Sequence, residues 1–342
     1  MTKSMWIAVF ILMLLFTACG AFMILLQKDE EQKNIHFFLT RQKLNNAVSY
    51  QEAALSVSDI VSLKNISLRF YRQPELKNNI REFTIQSYKE SRGVPVFLSF
   101  TAQNVSFRLL DIARNMNSSE ENVTETLAVF NPVEDILTNP LYALLLAGCN
   151  DISADIKGEY VYHSATKQMT LKTQITDKCL GRLKAEISLN NISNYQQGQL
   201  TLVFKHFLQR GNPVKNLENF LNGASVSNVS VSFSDSNLIK GYKQYIDTLY
   251  LRLPGTPSPT ELDAKGVQKI ASYLSFSNAH RQRNAETAQT LAQFIKSPNT
   301  IRFQSKAEKI VPLKVLSGSF LRKLTDLLLR LDTSVTLEKE TF

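Results

Sequence analysis

Hydrophobic and polar positions follow different rules in different parts of this chain, and each rule predicts a different element. From residue 5 to residue 26 there is no charge and no proline, only an apolar run through Met5, Trp6, Phe10, Leu14, Phe22 and Leu26. At about 1.5 Å per residue this run spans roughly 33 Å as a helix, close to the ~30 Å apolar core of a bilayer. A secretory signal has a shorter apolar region, roughly 7–15 residues, followed by small residues. Ala18, Cys19, Gly20 and Ala21 imitate such a cleavage site, and Phe16-Thr17-Ala18-Cys19 imitates a lipoprotein signal. The chain nevertheless stays apolar from Ala21 to Leu26. A retained signal-anchor is the favoured reading, with lipidation at Cys19 and cleavage as its alternatives. Lys3 precedes the run, and a short tail is easily left in the cytoplasm, so the orientation expected is N-in.

Beyond the run, residues 27–60 read as a polar stalk, partly helical over 42–54. Alternation of period two then begins. Ile66, Leu68 and Phe70 alternate with Ser67 and Arg69, Phe83 and Ile85 suggest a second strand, and 94–100 a third. The polar stretch 115–127 is a loop, with a sub-boundary near 115–131. A helix is expected from Pro132 to Gly148, split at Pro140. The clearest pattern follows. Ile156, Gly158, Tyr160 and Tyr162 form one alternating set, Met169, Leu171, Thr173 and Ile175 the next, and Leu183, Ala185, Ile187 and Leu189 a third. That is an antiparallel meander with one apolar and one polar face. Helices are expected over 200–208, 214–221, 237–250, 258–274, 281–296 and 319–331, and strands at 229–233 and 301–305. The fold class expected is therefore α+β: an N-terminal transmembrane helix, then a curved antiparallel sheet packed with helices. The divisions are a cytoplasmic stub (1–4), an anchor (5–26), the stalk (27–60) and one α+β ectodomain (61–342).

Composition changes this picture in two places. The formal net charge is +9, from 39 Lys and Arg against 30 Asp and Glu. A basic domain favours anionic neighbours such as lipid head groups or acidic polymers. The basic residues are dispersed, with no aromatic-interleaved block, so nucleic acid is not expected as a partner. Outside the apolar run there are two cysteines, Cys149 and Cys179. In an oxidising compartment a lone pair forms a disulfide, and closing this loop is worth about 3.6 kcal/mol in the chain-entropy model. Free buried thiols are the alternative. Neither cysteine has a second Cys or His at ligand spacing, so no metal and no cofactor is expected.

The meander at Gly158–Asn191, with its "Y-x-Y, turn, strand, LG-x-L, strand" pattern, resembles repeats in the YdgA-like and AsmA-like periplasmic proteins of Gram-negative bacteria. The stretches 225–245 and 285–316 look like degenerate further units. The likeness covers about residues 150–320 and rests on patterning, so it assigns no site residue. It implies a single-pass protein of the cell inner membrane with its C-terminal domain in the periplasm. It also implies a cell-envelope role without a catalytic centre, lipid handling among the options.

A search for chemistry leaves little. Ser164-Ala165-Thr166-Lys167 fits the S-x-x-K motif of penicillin-binding proteins, but a hairpin turn explains it better than a helix start. His36, His163, His206 and His280 stand apart from one another and from any zinc motif. Asn65, Asn104, Asn117, Asn122, Asn191 and Asn228 begin N-x-S/T sequons, which matter only in a glycosylating secretory pathway. The face of Leu321, Leu324, Leu328 and Leu331 is a candidate interaction helix for a membrane or a partner, with packing on the sheet as its alternative. Three readings follow in order. The first is a membrane-anchored, non-enzymatic envelope protein that binds lipid or an envelope partner. The second is a docking or assembly subunit of a secretion or surface-structure machine, self-associating or held by a protein partner. The third is an envelope hydrolase.

Overall fold

The computed structural model describes residues 48–55, 61–70, 73–91, 94–109, 145, 147–197, 219–220, 222–237, 239, 241, 244, 281–297, 299–305, 309–315, 326–328 and 330–338. Twelve strands lie among them: β1 (Val48–Ser49), β2 (Glu52–Leu55), β3 (Val61–Phe70), β4 (Gln73–Ser91), β5 (Val94–Arg108), β6 (Asp151–His163), β7 (Gln168–Asp177), β8 (Gly181–Asn190), β9 (Ser225–Asp235), β10 (Thr300–Gln304), β11 (Val311–Pro312) and β12 (Ser334–Glu338). One long helix, α1, covers Arg281–Lys296. All twelve strands belong to one open sheet in the order β1-β3-β4-β5-β6-β7-β8-β9-β10-β12, with β2 also on β3 and β11 also on β9. Every pairing is antiparallel. From β3 to β9 each strand lies beside its neighbour in sequence, so the sheet is a meander built from local returns of the chain.

Strict alternation fixes the two faces, because successive side chains point to opposite sides of a strand. Along β6, Ile152, Ala154, Ile156, Tyr160 and Tyr162 are buried, while Asp151, Ser153, Asp155 and Lys157 between them are exposed. Registration carries this parity across the sheet. Leu63 pairs with Phe83, Phe83 with Ala102, Ala102 with Ile156, and Ile156 with Ile175. The main core forms on this face, with Phe83, Ile85, Leu98, Phe100, Tyr160 and Met169 wholly buried. Each such side chain contributes roughly 1.5–3 kcal/mol of transfer free energy. The Phe83 and Phe100 rings stack with centroids 5.4 Å apart and planes 11° from parallel. Phe100 also lies over Gly158, leaving no room there for a Cβ. At the far side α1 sets Leu291 and Phe294 on Phe233, Ile301, Phe303, Val335 and Leu337.

Several expectations give way here. The α+β class is corrected: the described region is 62% strand and 20% helix, a mostly antiparallel open sheet. Strand content was underread because β4 runs for 19 residues and β5 for 15. The first half of β4, QPELKNNIRE, lacks alternation, yet it pairs with β3, and from Asn79 onward with β5 as well, so non-local pairing holds it extended regardless of propensity. The helical reading of 42–54 gives way over 48–54, since β1 and β2 both pair with β3; residues 42–47 lie outside the described residues. The strand β12 was not foreseen at all. The transmembrane part of the expected fold and the single-pass inner-membrane placement are also corrected: among the described residues no helix is long and apolar enough to cross a membrane. The run carrying Met5, Trp6, Phe10, Leu14, Phe22 and Leu26 lies outside the described residues, as do residues 132–144 of the helix expected at 132–148 and the helices expected at 200–208 and 258–274. By contrast α1 and the turn at 164–167 fall where the sequence pattern placed them, and the break expected at Asp177-Lys178 is a turn over 178–180.

Candidate apolar ligand-binding face

The apolar face is not filled evenly. One cross-strand row runs Phe100–Gly158–Thr173–Ala185–Val231–Phe303–Val335, each residue in register with the next. Its middle members are small, and both flanks carry a phenylalanine. The rows on either side are bulkier: Ile156–Ile175–Leu183–Phe233–Ile301, and Tyr160–Leu171–Ile187–Val229. At about 4.8 Å per strand, the small-residue row extends roughly 19 Å from β6 to β10. Thr173, Ala185 and Val231 are half-buried, and so are their neighbours Leu171, Ile175, Leu183 and Ile187. The same face is fully buried towards β4 and β5, at Phe83, Ile85, Leu98 and Phe100. The Thr173 hydroxyl donates to the Lys157 carbonyl at 3.3 Å. No acid or base stands in these rows except the phenol of Tyr160, which takes a hydrogen bond from Gln197 Nε2 at 2.7 Å. Such a surface can bury apolar atoms.

The two ends of the row's strands are closed differently. At one end Cys149 and Cys179 form a disulfide, with Cα atoms 5.8 Å apart. Beside it Asp177 is buried and fully engaged. One carboxylate oxygen accepts from the backbone N–H of Cys179 at 2.7 Å and of Leu180 at 2.8 Å; the other accepts from Ser153 N–H at 2.9 Å. Gly181, at φ +101°, brings β8 against the Ser234 carbonyl. At the other end Tyr162 donates to the Ile192 carbonyl at 2.8 Å, and Ile192 N–H donates to Lys167 O at 2.9 Å. Burial raises the phenol pKa of Tyr162, and that of Tyr50. On the opposite, polar face the exposed ammonium of Lys64 is held above its ordinary value, first by its 2.9 Å hydrogen bond to Glu52.

The remaining sequence candidates scatter. Leu331 is wholly buried in the main core and Leu328 is half-buried; Leu321 and Leu324 lie outside the described residues. Ser164 to Lys167 form the exposed turn between β6 and β7. His163 is exposed, and the other histidines lie outside the described residues. Of the sequons, Asn65 and Asn191 are exposed, whereas Asn104 and Asn228 accept hydrogen bonds from Ser153 and Ser305. Among the described residues no cluster of His, Cys, Asp or Glu could hold a metal ion. The small-residue row was not recognised from sequence, although alternation already placed Gly158, Thr173, Ala185 and Val231 on the inward side. The signal that aligns the first three is the pair of short turns at 164–167 and 178–180, which fix the register of β6, β7 and β8. Comparison with protein-family models gives no match. Comparison with curated proteins gives none either.

Proposed function

We propose that this chain is a non-enzymatic binding protein that takes the acyl part of a lipid against the apolar face of its sheet. The observation that supports this reading is the half-buried row Thr173–Ala185–Val231, walled by aliphatic side chains and stopped by Phe100 and Phe303. A row of small, half-buried apolar side chains between bulkier aliphatic ones suits a chain of methylenes better than a compact polar metabolite. The disulfide suits work in an oxidising compartment. The test is native mass spectrometry of the gently purified full chain with its disulfide intact. Release of a mass that fragments as a glycerolipid or fatty acid is expected. A bare chain that also fails to take up added fatty acid would end the proposal.

A second reading, as a self-associating docking subunit, has one observation in its favour. Among the described residues β12 pairs only with β10, and its sequence Ser-Val-Thr-Leu-Glu carries neither proline nor lysine to blunt the edge. A concentration-dependent mass in analytical ultracentrifugation, lost on Thr336→Pro, is what that reading expects.

A further inference from the structure

Among the described residues the two large apolar side chains most open to solvent are Tyr195 at 61% and Ile310 at 59%, and they occupy the same end of the sheet. The covalent and hydrogen-bonded path between them is short. Tyr195 follows the last residue of β8, Asn190, by five positions, and Asn190 is in register with Ser225 of β9. Ser225 pairs in turn with Pro312, and Leu313 N–H donates to Ala224 O at 3.0 Å, which seats Ile310 just outside β11. Neither exposure is accidental. Ser193 donates to Gln196 Oε1 and Gln197 Nε2 reaches Tyr160, so the neighbours of Tyr195 are tied inward and its ring is turned out. Val311 is buried, which leaves Ile310 on the outer side of the chain.

Among the described residues beside these two, the charges are basic, although Glu308 adjoins Lys309 in sequence. The β6–β7 turn carries Lys167, and the β11 segment carries Lys309 and Lys314, all exposed. Lys167 belongs to this same end, because its carbonyl holds Ile192 N–H. The stretches 163–168, 191–197, 222–224 and 309–315 contain no Asp and no Glu. A tyrosine and an isoleucine projecting among lysines match the boundary of an anionic bilayer. There the ring and the aliphatic chain enter the head-group layer and the ammonium groups meet lipid phosphates. We infer that this end of the sheet docks peripherally on an anionic phospholipid surface. The inference goes beyond the acyl-binding reading and does not depend on it, because the small-residue row lies at mid-strand and the docking residues at the strand ends.

Hydrogen exchange with mass readout on the full, oxidised chain tests it. The readout is local, so association through any other part of the chain does not disturb it. Phosphatidylcholine vesicles with and without phosphatidylglycerol are the probes. With phosphatidylglycerol, exchange in 191–197 and 309–315 is expected to slow by at least about fivefold, as for a surface moving from open to covered. Added salt should reverse the effect, since exposed charges are screened within about 10 Å at 0.1 M. The variant K167E/K309E/K314E should lose the protection. So should Tyr195→Ser with Ile310→Ser, whose exposed sites leave the fold untouched. No protection in these segments, equal protection on pure phosphatidylcholine, or protection that survives charge reversal would each overturn the docking surface. A lipid-free chain in native mass spectrometry bears only on the acyl-binding reading.

Discussion

Tyr162 is buried among aliphatic side chains and yet carries a phenol, which is tolerable because that phenol donates to the Ile192 carbonyl. Removing the hydroxyl with Tyr162→Phe leaves a buried carbonyl without its donor, at a cost of about 1–3 kcal/mol at neutral pH. The pH dependence has a definite sign. The folded-state pKa of Tyr162 is raised by burial, as is that of Tyr50. Folding therefore favours the neutral phenols. Their contribution is fully present below the unfolded value, near pH 10, and is lost as pH rises through the higher folded values. Urea midpoints should hold through neutral pH and fall above about pH 10, with Tyr162→Phe falling less steeply than the parent. An identical alkaline slope in the two proteins would remove Tyr162 from this account. Gly158 makes a second residue-level prediction, since the Phe100 ring occupies the space of a Cβ. Gly158→Ala should destabilise by about 1–3 kcal/mol. Most of that cost should vanish in a Phe100→Leu background, and additive effects of the two changes would show that the ring is not the obstacle.

At the level of elements, the joint between β7 and β8 is held three ways: by the disulfide, by the Asp177 carboxylate on three backbone N–H groups, and by the close approach at Gly181. The disulfide joins residues 30 apart in sequence. Reduction should lower stability by up to about 3.6 kcal/mol on the chain-entropy account. Denaturation with and without dithiothreitol reads this directly, and coincident curves would mean that the bridge constrains nothing the sheet does not already hold. Elements were legible from sequence where a period stood against a clean background. The meander β6–β8 alternates strictly between short turns, and α1 has its apolar residues at helical spacing, so both were found at close to their observed bounds. The beginning of β4 has neither period. It is a strand because it pairs with β3, and a non-local cause of that kind leaves no mark on the local sequence. β12 is the same case at the edge, five residues whose alternation of Val335 and Leu337 is too short to rise above chance.

For the whole molecule, the consequence of one continuous sheet is that neighbouring residues of a strand serve opposite environments. Parity was readable in each strand; which inward residues of five different strands line up was not, because the β8–β9 and β9–β10 registers are set across long intervening segments. The candidate site exists only in that alignment, so its individual residues look like ordinary core positions. The pair Ser230 and Val231 turns this into a decisive comparison. Val231 stands in the small-residue row between Ala185 and Phe303, while Ser230, one position earlier, faces the polar side between Glu186 and Gln304. Val231→Lys places an ammonium on the apolar face and should abolish lipid retention, whereas Ser230→Lys should leave retention and stability near the parent values, within about 0.5 kcal/mol for a surface change. A charge can also act by loosening the fold, so Ala185→Phe supplies an independent arm. It fills the depression with apolar volume between Thr173 and Val231, at a cost of roughly 1–3 kcal/mol if the walls must shift. Lipid content per folded chain, read by native mass spectrometry on each variant, should fall for Val231→Lys and Ala185→Phe and stay level for Ser230→Lys. If Ala185→Phe remains folded and carries as much lipid as the parent, the lipid lies elsewhere and the row is only a thin part of the core.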